Sequence, residues 1–315
     1  MRNRARLVGA FRPPGDKSLS HRALILAALA GGRTELTGLN PGEDVESTAR
    51  CLRALGVRIR RRGDTWEVSG PGREGLRRPA APLPCGNSGT TMRLMAGVAA
   101  GLPFRIELRG DASLSARPMA RIAKPLRRMG ARVEGRSFGP ELHAPLVIRG
   151  GRLRRIRWRQ EIASAQVKSA VLLAAWTAGV PADVVEPLRS RDHTERMMRA
   201  LGAPVRRVGG GVQLGTGGSL AAPEGCVPGD PSAGAFFAAG AAALPHSCVS
   251  LEGMGLNPTR TGFYRVLERA GARLQTRQAG RWCGEPVGDV KVRPGRLRSV
   301  KLSARQVPAL LDEIP

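Results

Sequence analysis

The chain has 315 residues, of which 42% are hydrophobic and 3% aromatic, and its formal net charge is +26. This length allows two packed domains or one large one, and no apolar run approaches the roughly 20 residues that cross a bilayer. The five cysteines are scattered and odd in number, and neither they nor the four histidines have metal-ligand spacing, so we expect no disulfide framework and no zinc site. No apolar signal core follows the basic start, so we expect a cytoplasmic protein.

The first predicted helix follows a proline-rich entry, and its start carries two basic residues. Residues 13–16 (Pro-Pro-Gly-Asp) lead into Lys17 and Ser18, and an apolar run follows over residues 23–30. Small polar residues cap free backbone N–H groups at a helix start, and the helix dipole attracts anions there. Ser18 and Arg22 are four residues apart and share a helix face. The stretch predicts either a phosphate or carboxylate site or a simple cap with two solvated cations.

A second helix and a strand pair follow this stretch. Apolar spacing predicts a helix over residues 45–55, and Gly56 is typical of a helix end. Residues 57–60 and 66–68 alternate like two strands, with a turn at residues 63–64 between them. This succession is the first copy of a longer pattern.

The pattern recurs along the chain with a period that is long for a repeat protein. Similar helix ends occur at intervals of 74, 72 and 69 residues by subtraction, at Gly56, Gly130, Gly202 and Gly271. Similar helix starts occur at residues 15–18, 86–91, 163–169 and 229–233. Each repeat is predicted to hold a polar cap, an apolar helix, a strand, an amphipathic helix and a strand pair, which indicates a mixed α/β fold. The apolar helices are hydrophobic on nearly all sides, and such helices are buried.

The repeated helix starts suggest a function. If the repeats surround one axis, their positive helix ends converge and form a strong anion site without a metal. Alternatively, each cap satisfies only its own helix. That alternative explains the serines and threonines, but it explains Lys17, Gln166 and Lys168 less well, because capping needs no long polar side chain.

The high positive charge leaves a second question open. It could indicate nucleic-acid binding. However, the basic residues are spread along the chain, nearly all of them are arginine, and the chain has one tyrosine. These features favour a compositional bias of the whole chain over a nucleic-acid partner.

Seven stretches, in order, resemble the signatures of the 5-enolpyruvylshikimate-3-phosphate (EPSP) synthase family. They are GDKSLSHRAL at 15–24, CGNSGTTMRL at 85–94, SARPM at 115–119, SAQVKS at 164–169, SRDHTE at 190–195, PGDPS at 228–232 and LDEIP at 311–315. UDP-N-acetylglucosamine enolpyruvyl transferase shares the fold, but it usually has Lys-Asn where this chain has Lys17 and Ser18. The resemblance therefore favours EPSP synthase and leaves its sister enzyme as the alternative within the superfamily.

The resemblance implies a transferase of the shikimate pathway, in aromatic amino acid (chorismate) biosynthesis. Such an enzyme moves the enolpyruvyl group of phosphoenolpyruvate to the 5-hydroxyl of shikimate 3-phosphate and releases phosphate. The reaction proceeds by addition and elimination, without metal or cofactor. The expected partners are these two anionic substrates, with no membrane and no nucleic acid, and the expected state is a monomer. The implied fold is enolpyruvyl transferase-like, with repeated βαβαββ units around buried helices.

The resemblance also implies roles for particular residues of this chain. Shikimate 3-phosphate is expected at Lys17, Ser18, Arg22, Ser164, Ala165, Gln166, Ser190 and Asp312. Phosphoenolpyruvate is expected at Lys17, Gly89, Arg117 and Gln166. The expected catalytic residues are Asp312, which removes the proton of the 5-hydroxyl, and Lys17. Ala165 stands where many members have serine, so only its backbone N–H is available for that contact.

The resemblance further implies two domains with the active site between them, one domain being inserted into the other. Residues 15–224 would form the inserted domain with three repeats, and residues 1–14 plus 225–315 would form the other with one full repeat and the start of the next. Family members extend beyond the position that matches Pro315. We therefore expect residues 1–315 alone to bind shikimate 3-phosphate weakly and to turn over poorly or not at all. A non-catalytic remnant that binds anions or nucleic acid is the alternative from another class, and its binding to nucleic acid would depend steeply on salt.

Overall fold

The computed structural model describes residues 5–303, 306–310 and 312–313. Of the predicted terminal motif, Leu311, Ile314 and Pro315 lie outside the described residues. The chain divides into two compact units. The first unit comprises Met1–Asp16 and Cys226–Pro315, and the second comprises Lys17–Gly225.

Helices and strands are interspersed along the whole chain. In order they are β1 (Val8–Phe11), α1 (Lys17–Leu29), β2 (Gly31–Thr37), α2 (Glu43–Ala54), β3 (Arg58–Arg62), β4 (Thr65–Pro71), α3 (Gly72–Gly75), β5 (Leu83–Gly86), α4 (Gly89–Ala100), β6 (Arg105–Gly110), α5 (Ala112–Ser115), α6 (Ala120–Met129), β7 (Arg132–Phe138), β8 (Glu141–Arg149), β9 (Ile156–Arg159), α7 (Ala165–Ala178), β10 (Ala182–Val185), α8 (His193–Ala200), β11 (Val205–Val208), β12 (Gly211–Leu214), β13 (Gly225–Cys226), α9 (Pro231–Ala243), β14 (Cys248–Gly255), α10 (Gly262–Arg269), β15 (Arg273–Trp282) and β16 (Glu285–Arg293), followed by a short 3₁₀ turn at Val307–Ala309.

The second unit contains three copies of one arrangement. Its sheets have strand orders β13-β2-β4-β3, β5-β6-β8-β7 and β11-β12-β10-β9. Helix α4 connects the parallel strands β5 and β6, and α7 connects the parallel strands β9 and β10. Parallel neighbours need such a crossover, whereas the antiparallel hairpins β3–β4, β7–β8 and β11–β12 close with short turns. The βαβαββ repeat predicted from the sequence is confirmed.

Each amphipathic helix ends at the glycine that marks the repeat. The φ angles of Gly56, Gly130, Gly202 and Gly271 are +91°, +110°, +102° and +111°. A side chain rarely adopts this left-handed conformation, and glycine does so at little cost. The spacing of these glycines is therefore the spacing of the helix ends.

Helices α1, α4 and α7 form the interior of the second unit. Every residue of α1 from Leu19 to Leu29 is buried, and α4 and α7 are buried over most of their length. Helices α4 and α7 approach backbone to backbone, because a Cβ on Gly97 would lie 2.4 Å from the carbonyl oxygen of Ala170. The sequence prediction of buried apolar helices is confirmed for these three.

The first unit holds a sheet of order β1-β14-β16-β15 with α9 packed against it. Its apolar core includes Ala238 of α9, Leu251 of β14 and Val290 of β16. The expected burial of the fourth apolar helix holds for one side only, since Phe236 of α9 is 80% exposed. Apolar composition marks a helix that can be buried, but the elements packed around it decide how many of its faces are covered.

Among residues 5–303, 306–310 and 312–313, no helix combines the length and the apolar character that a membrane span requires.

Candidate active site

Lys17 is the first residue of α1 and half-exposed. Its Nζ lies 3.1 Å from Oδ2 of Asp44, in the first turn of α2. The Asp44 side chain is partly exposed, and an ion pair that solvent reaches contributes only about 0–1 kcal/mol, because solvent screens both charges. A multiply charged anion can therefore draw the Lys17 ammonium away from Asp44 at little cost.

The start of α4 brings a glycine against two guanidinium groups. Ser88 caps the helix by accepting a hydrogen bond from the N–H of Thr91 at 3.1 Å. A Cβ on Gly89 would lie 2.7 Å from Nη1 of Arg93 and 3.4 Å from Nη1 of Arg117. The absence of a side chain at Gly89 thus lets both guanidinium groups approach the helix start.

Three arginines concentrate positive charge at this place. Burial, and then the charges of Arg121 and Arg117, lower the pKa of Arg93. Arg117 also donates hydrogen bonds to Oδ1 of Asn87 and to Oγ of Ser113. Guanidinium groups bind carboxylates and phosphates through paired hydrogen bonds, and an anion here would relieve the repulsion among the three cations.

Gln166, in the first turn of α7, joins that helix to α4. Its Oε1 accepts a hydrogen bond from Nη1 of Arg93 at 2.9 Å, and its Nε2 donates to Oγ1 of Thr90 at 3.1 Å. Ser164 caps the same helix, and its own N–H donates to Oε1 of Gln160 at 2.8 Å. The beginnings of α4 and α7 are thereby held in one hydrogen-bonded network.

Arg22 connects α1 to two further helices. It is 4% exposed, and it donates to the carbonyl oxygen of Ser18 at 2.8 Å, to Oγ1 of Thr194 at 2.7 Å and to Oγ of Ser169 at 2.9 Å. These bonds tie the starts of α1, α7 and α8 together. The role expected for Arg22 at shikimate 3-phosphate stays a prediction.

Lys168 lies in a buried ion triad. Its Nζ is 2.7 Å from Oε2 of Glu186 and 2.7 Å from Oε1 of Glu195, and its side chain is 1% exposed. The other oxygen of Glu186 accepts a hydrogen bond from the hydroxyl of Ser190. Burial raises the pKa of Glu195 against the opposing effect of Lys168. Helix capping does not require a lysine at position 168. The structure shows that the Lys168 ammonium instead compensates the charge of buried carboxylates.

Asp312 belongs to the first unit and is exposed. The next residue, Glu313, accepts a hydrogen bond from Ser232, and Ser232 accepts one from Arg260 at 2.9 Å. Arg260 also lies 2.8 Å from Oδ1 of Asp230. Burial alone would lower the pKa of Arg260, but nearby carboxylates, first among them Asp16, raise it. A buried cation therefore anchors the segment that carries Asp312.

The structure adds residues that the sequence motifs left without a role. Arg93 stands four positions after Gly89, and this spacing on one helix face could have indicated it. His21, Thr48 and Thr91 form a hydrogen-bonded chain with steps of 2.7 Å each, joining α1, α2 and α4. No sequence signal pointed to Glu186, whose importance depends on a contact with Lys168. The described part of the chain contains no group of three or more His, Cys, Asp or Glu side chains that could hold a metal ion.

Comparisons with known proteins agree along the whole chain. The family described as EPSP synthase (3-phosphoshikimate 1-carboxyvinyltransferase) matches residues 1–315. The 3-phosphoshikimate 1-carboxyvinyltransferase of Geobacillus kaustophilus is 49% identical over 99% of this chain and 73% of its own length. That of Shouchella clausii is 45% identical over 98% of this chain and 71% of its own. A solved EPSP synthase structure from Acinetobacter baumannii superposes with a TM-score of 0.88 at 41% identity, covering 98% of this chain and 69% of that one.

Proposed function

The chain belongs to the EPSP synthase family, and we infer from this membership that it is a 3-phosphoshikimate 1-carboxyvinyltransferase. The enzyme transfers the enolpyruvyl group of phosphoenolpyruvate to the 5-hydroxyl of shikimate 3-phosphate and so serves aromatic amino acid biosynthesis. The expected family and the mixed α/β fold are both confirmed. The comparisons do not favour the sister enzyme or a non-catalytic remnant.

The observation that best supports this function within the second unit is its network of cationic helix starts. Both substrates carry several negative charges, and backbone N–H groups at helix starts attract anions. Arg93 and Arg117 at the start of α4 add two guanidinium groups, and Gln166 links them to α7. This arrangement suits small anionic substrates better than a nucleic-acid duplex, because the positive charges of the helix starts are concentrated within a few side chains.

We assign phosphoenolpyruvate to the arginines around Gly89. Arg117 provides a planar donor pair for a carboxylate or phosphate, and Arg93 provides a second one beside it. Gly89 allows close approach to the helix start, and Lys17 contacts both substrates. Gln166, hydrogen-bonded to Arg93, bridges the two substrates.

We assign shikimate 3-phosphate to the starts of α1 and α7 and to the loop before α8. Its phosphate group is bound by the hydroxyls of Ser164 and Ser190 and by the backbone N–H of Ala165. Ser18 and Arg22 contribute from α1. Helix starts that carry small polar residues are common sites for such groups, since the free N–H groups and the dipole both favour an anion.

In the reaction, the 5-oxygen of shikimate 3-phosphate forms a bond with C2 of phosphoenolpyruvate while a proton adds to C3. The tetrahedral intermediate then loses phosphate from C2 and a proton from C3. Asp312 accepts the proton of the 5-hydroxyl, and an effective general base must lie within hydrogen-bond reach of that proton. The buried Arg260, through Ser232 and Glu313, steadies the segment on which Asp312 lies.

Calorimetric titration with shikimate 3-phosphate, followed by a phosphate-release assay with phosphoenolpyruvate, tests the proposed function. We expect weak binding of shikimate 3-phosphate, still weaker binding of shikimate, and at most slow phosphate release that requires both substrates. Binding of UDP-N-acetylglucosamine in place of shikimate 3-phosphate, or no binding of either, would refute the assignment.

The Arg117→Lys variant tests the assignment of phosphoenolpyruvate. Lysine keeps the charge but loses the paired donors, so we expect about a tenfold higher KM for phosphoenolpyruvate with a smaller change for shikimate 3-phosphate. Arg109→Lys is the matched control, because Arg109 lies in the same unit and is 63% exposed. Equal effects of the two substitutions would contradict the assignment.

A further inference from the structure

The buried triad around Lys168 touches a residue of the proposed phosphate site. Lys168 stands in the first turn of α7, Glu186 directly follows β10, and Glu195 is in the first turn of α8. The side chains of Lys168, Glu186 and Glu195 are 1%, 6% and 5% exposed. The triad therefore fixes the Glu186 carboxylate in a position sheltered from water.

Glu186 passes this constraint on to Ser190. One carboxylate oxygen of Glu186 accepts from the Lys168 ammonium at 2.7 Å, and the other accepts from the Ser190 hydroxyl. A serine hydroxyl has a single proton to donate. While that proton is directed to Glu186, Ser190 offers an incoming anion only lone pairs, which a phosphate oxygen cannot use.

We propose that Glu186 is a positioning residue that sets the affinity for the phosphate group of shikimate 3-phosphate, because its carboxylate competes with that phosphate for the hydroxyl proton of Ser190. This inference rests on the proposed function. Lys168 makes the exchange possible, since it stays bonded to Glu186 when Ser190 turns away and so prevents an unpaired buried carboxylate. Phosphate binding thus includes the cost of breaking the Ser190–Glu186 hydrogen bond.

If Glu186 only supported the structure, its replacement would weaken the binding of shikimate 3-phosphate. The proposed competition predicts tighter binding instead. In Glu186→Gln, the carboxamide oxygen accepts from Lys168 and the amide nitrogen donates to the Ser190 oxygen. The serine proton then becomes available to the phosphate, and one negative charge near the site is removed. The phosphate gains a charge-assisted hydrogen bond without first breaking the Ser190–Glu186 bond, so we expect shikimate 3-phosphate to bind roughly tenfold more tightly.

The test is calorimetric titration of shikimate 3-phosphate into the wild type, Glu186→Gln, Ser190→Ala and the double variant. We expect most of the gain from Glu186→Gln to disappear in the Ser190→Ala background, and the affinity for phosphoenolpyruvate to stay unchanged. Glu141→Gln is the control, because it removes the same formal charge from an exposed position of the same unit. It should leave the affinity within about twofold of the wild type.

Unchanged or weaker binding by Glu186→Gln would overturn the inference, as would an equal gain in the Ser190→Ala background. If the wild type itself does not bind shikimate 3-phosphate, the proposed function fails instead. Should Glu186→Gln not fold, Ser190→Ala alone decides the matter. A proton already committed to Glu186 predicts a loss of less than about tenfold, whereas a loss near a hundredfold would refute the competition.

Discussion

Replacing Lys168 with methionine should strongly destabilise the second unit. Methionine matches the length of the lysine stem, so the change removes the ammonium with little change in packing. Glu186 and Glu195 each lie 2.7 Å from that ammonium and are nearly inaccessible to solvent. Removing one partner of a buried ion pair costs about 3–5 kcal/mol, because the remaining charge stays buried without compensation.

The cost should also depend on pH in a defined direction. Burial raises the pKa of Glu195, and without the ammonium the opposing effect of Lys168 on that pKa is lost. Groups with a raised folded pKa stabilise the fold below the unfolded pKa, and this contribution is lost as pH rises through the folded pKa. The wild type has the same tendency at Glu195, whose pKa is already raised. The destabilisation by Lys168→Met should therefore be larger at pH 8 than at pH 5.

Urea denaturation followed by tryptophan fluorescence measures this effect. Three of the four tryptophans, Trp66, Trp158 and Trp176, lie in the second unit. The control is Lys124→Met, at an exposed position of α6, which should cost less than about 0.5 kcal/mol. A cost below about 1 kcal/mol for Lys168→Met, or one that is equal at both pH values, would refute the reasoning.

Three further predictions concern single contacts. Gly89→Ala should raise the KM for phosphoenolpyruvate about tenfold in steady-state assays with little change in thermal midpoint, because its Cβ displaces the flexible end of Arg93; an unchanged KM would contradict this. Arg260→Met should lower the unfolding free energy of the first unit by about 3–5 kcal/mol in hydrogen exchange, since it leaves Asp230 buried without its cation; protection equal to that of the wild type would argue against it. Ser88→Ala should cost about 1 kcal/mol in urea denaturation through loss of the α4 cap, and a cost near zero would show that the cap contributes nothing.

The repeat could be predicted from the sequence because its signals are local. A helix that ends in a left-handed residue requires glycine at that position, so the recurrence of Gly56, Gly130 and Gly202 marks the recurrence of the helix ends. Burial of the apolar helices followed from their composition for α1, α4 and α7. For α9 it held on one side only, and Phe236 is exposed, because composition carries no information about which elements pack against a helix.

The contacts within the candidate site could not be predicted from the sequence, because they join residues that are far apart along the chain. Gln166 and Lys168 stood out as long polar side chains in a capping motif, but their partners lie elsewhere in the chain. Arg93 reaches Gln166 across 73 positions, and Glu186 follows Lys168 by 18. Contacts of this kind arise only when the fold brings distant segments together. The domain boundaries and the substrate roles of the motif residues stay predictions.

The close contact between Gly97 and Ala170 lies outside the candidate site, yet it affects the geometry of the side chains within that site. Two turns of α4 separate Gly97 from Gly89, and no ligand is assigned to either Gly97 or Ala170. A methyl group there would wedge the two helices apart near their middle and shift Arg93 relative to Gln166. Catalysis would then depend on the absence of a side chain at Gly97, a residue that contacts no substrate. A search limited to catalytic side chains would not identify it.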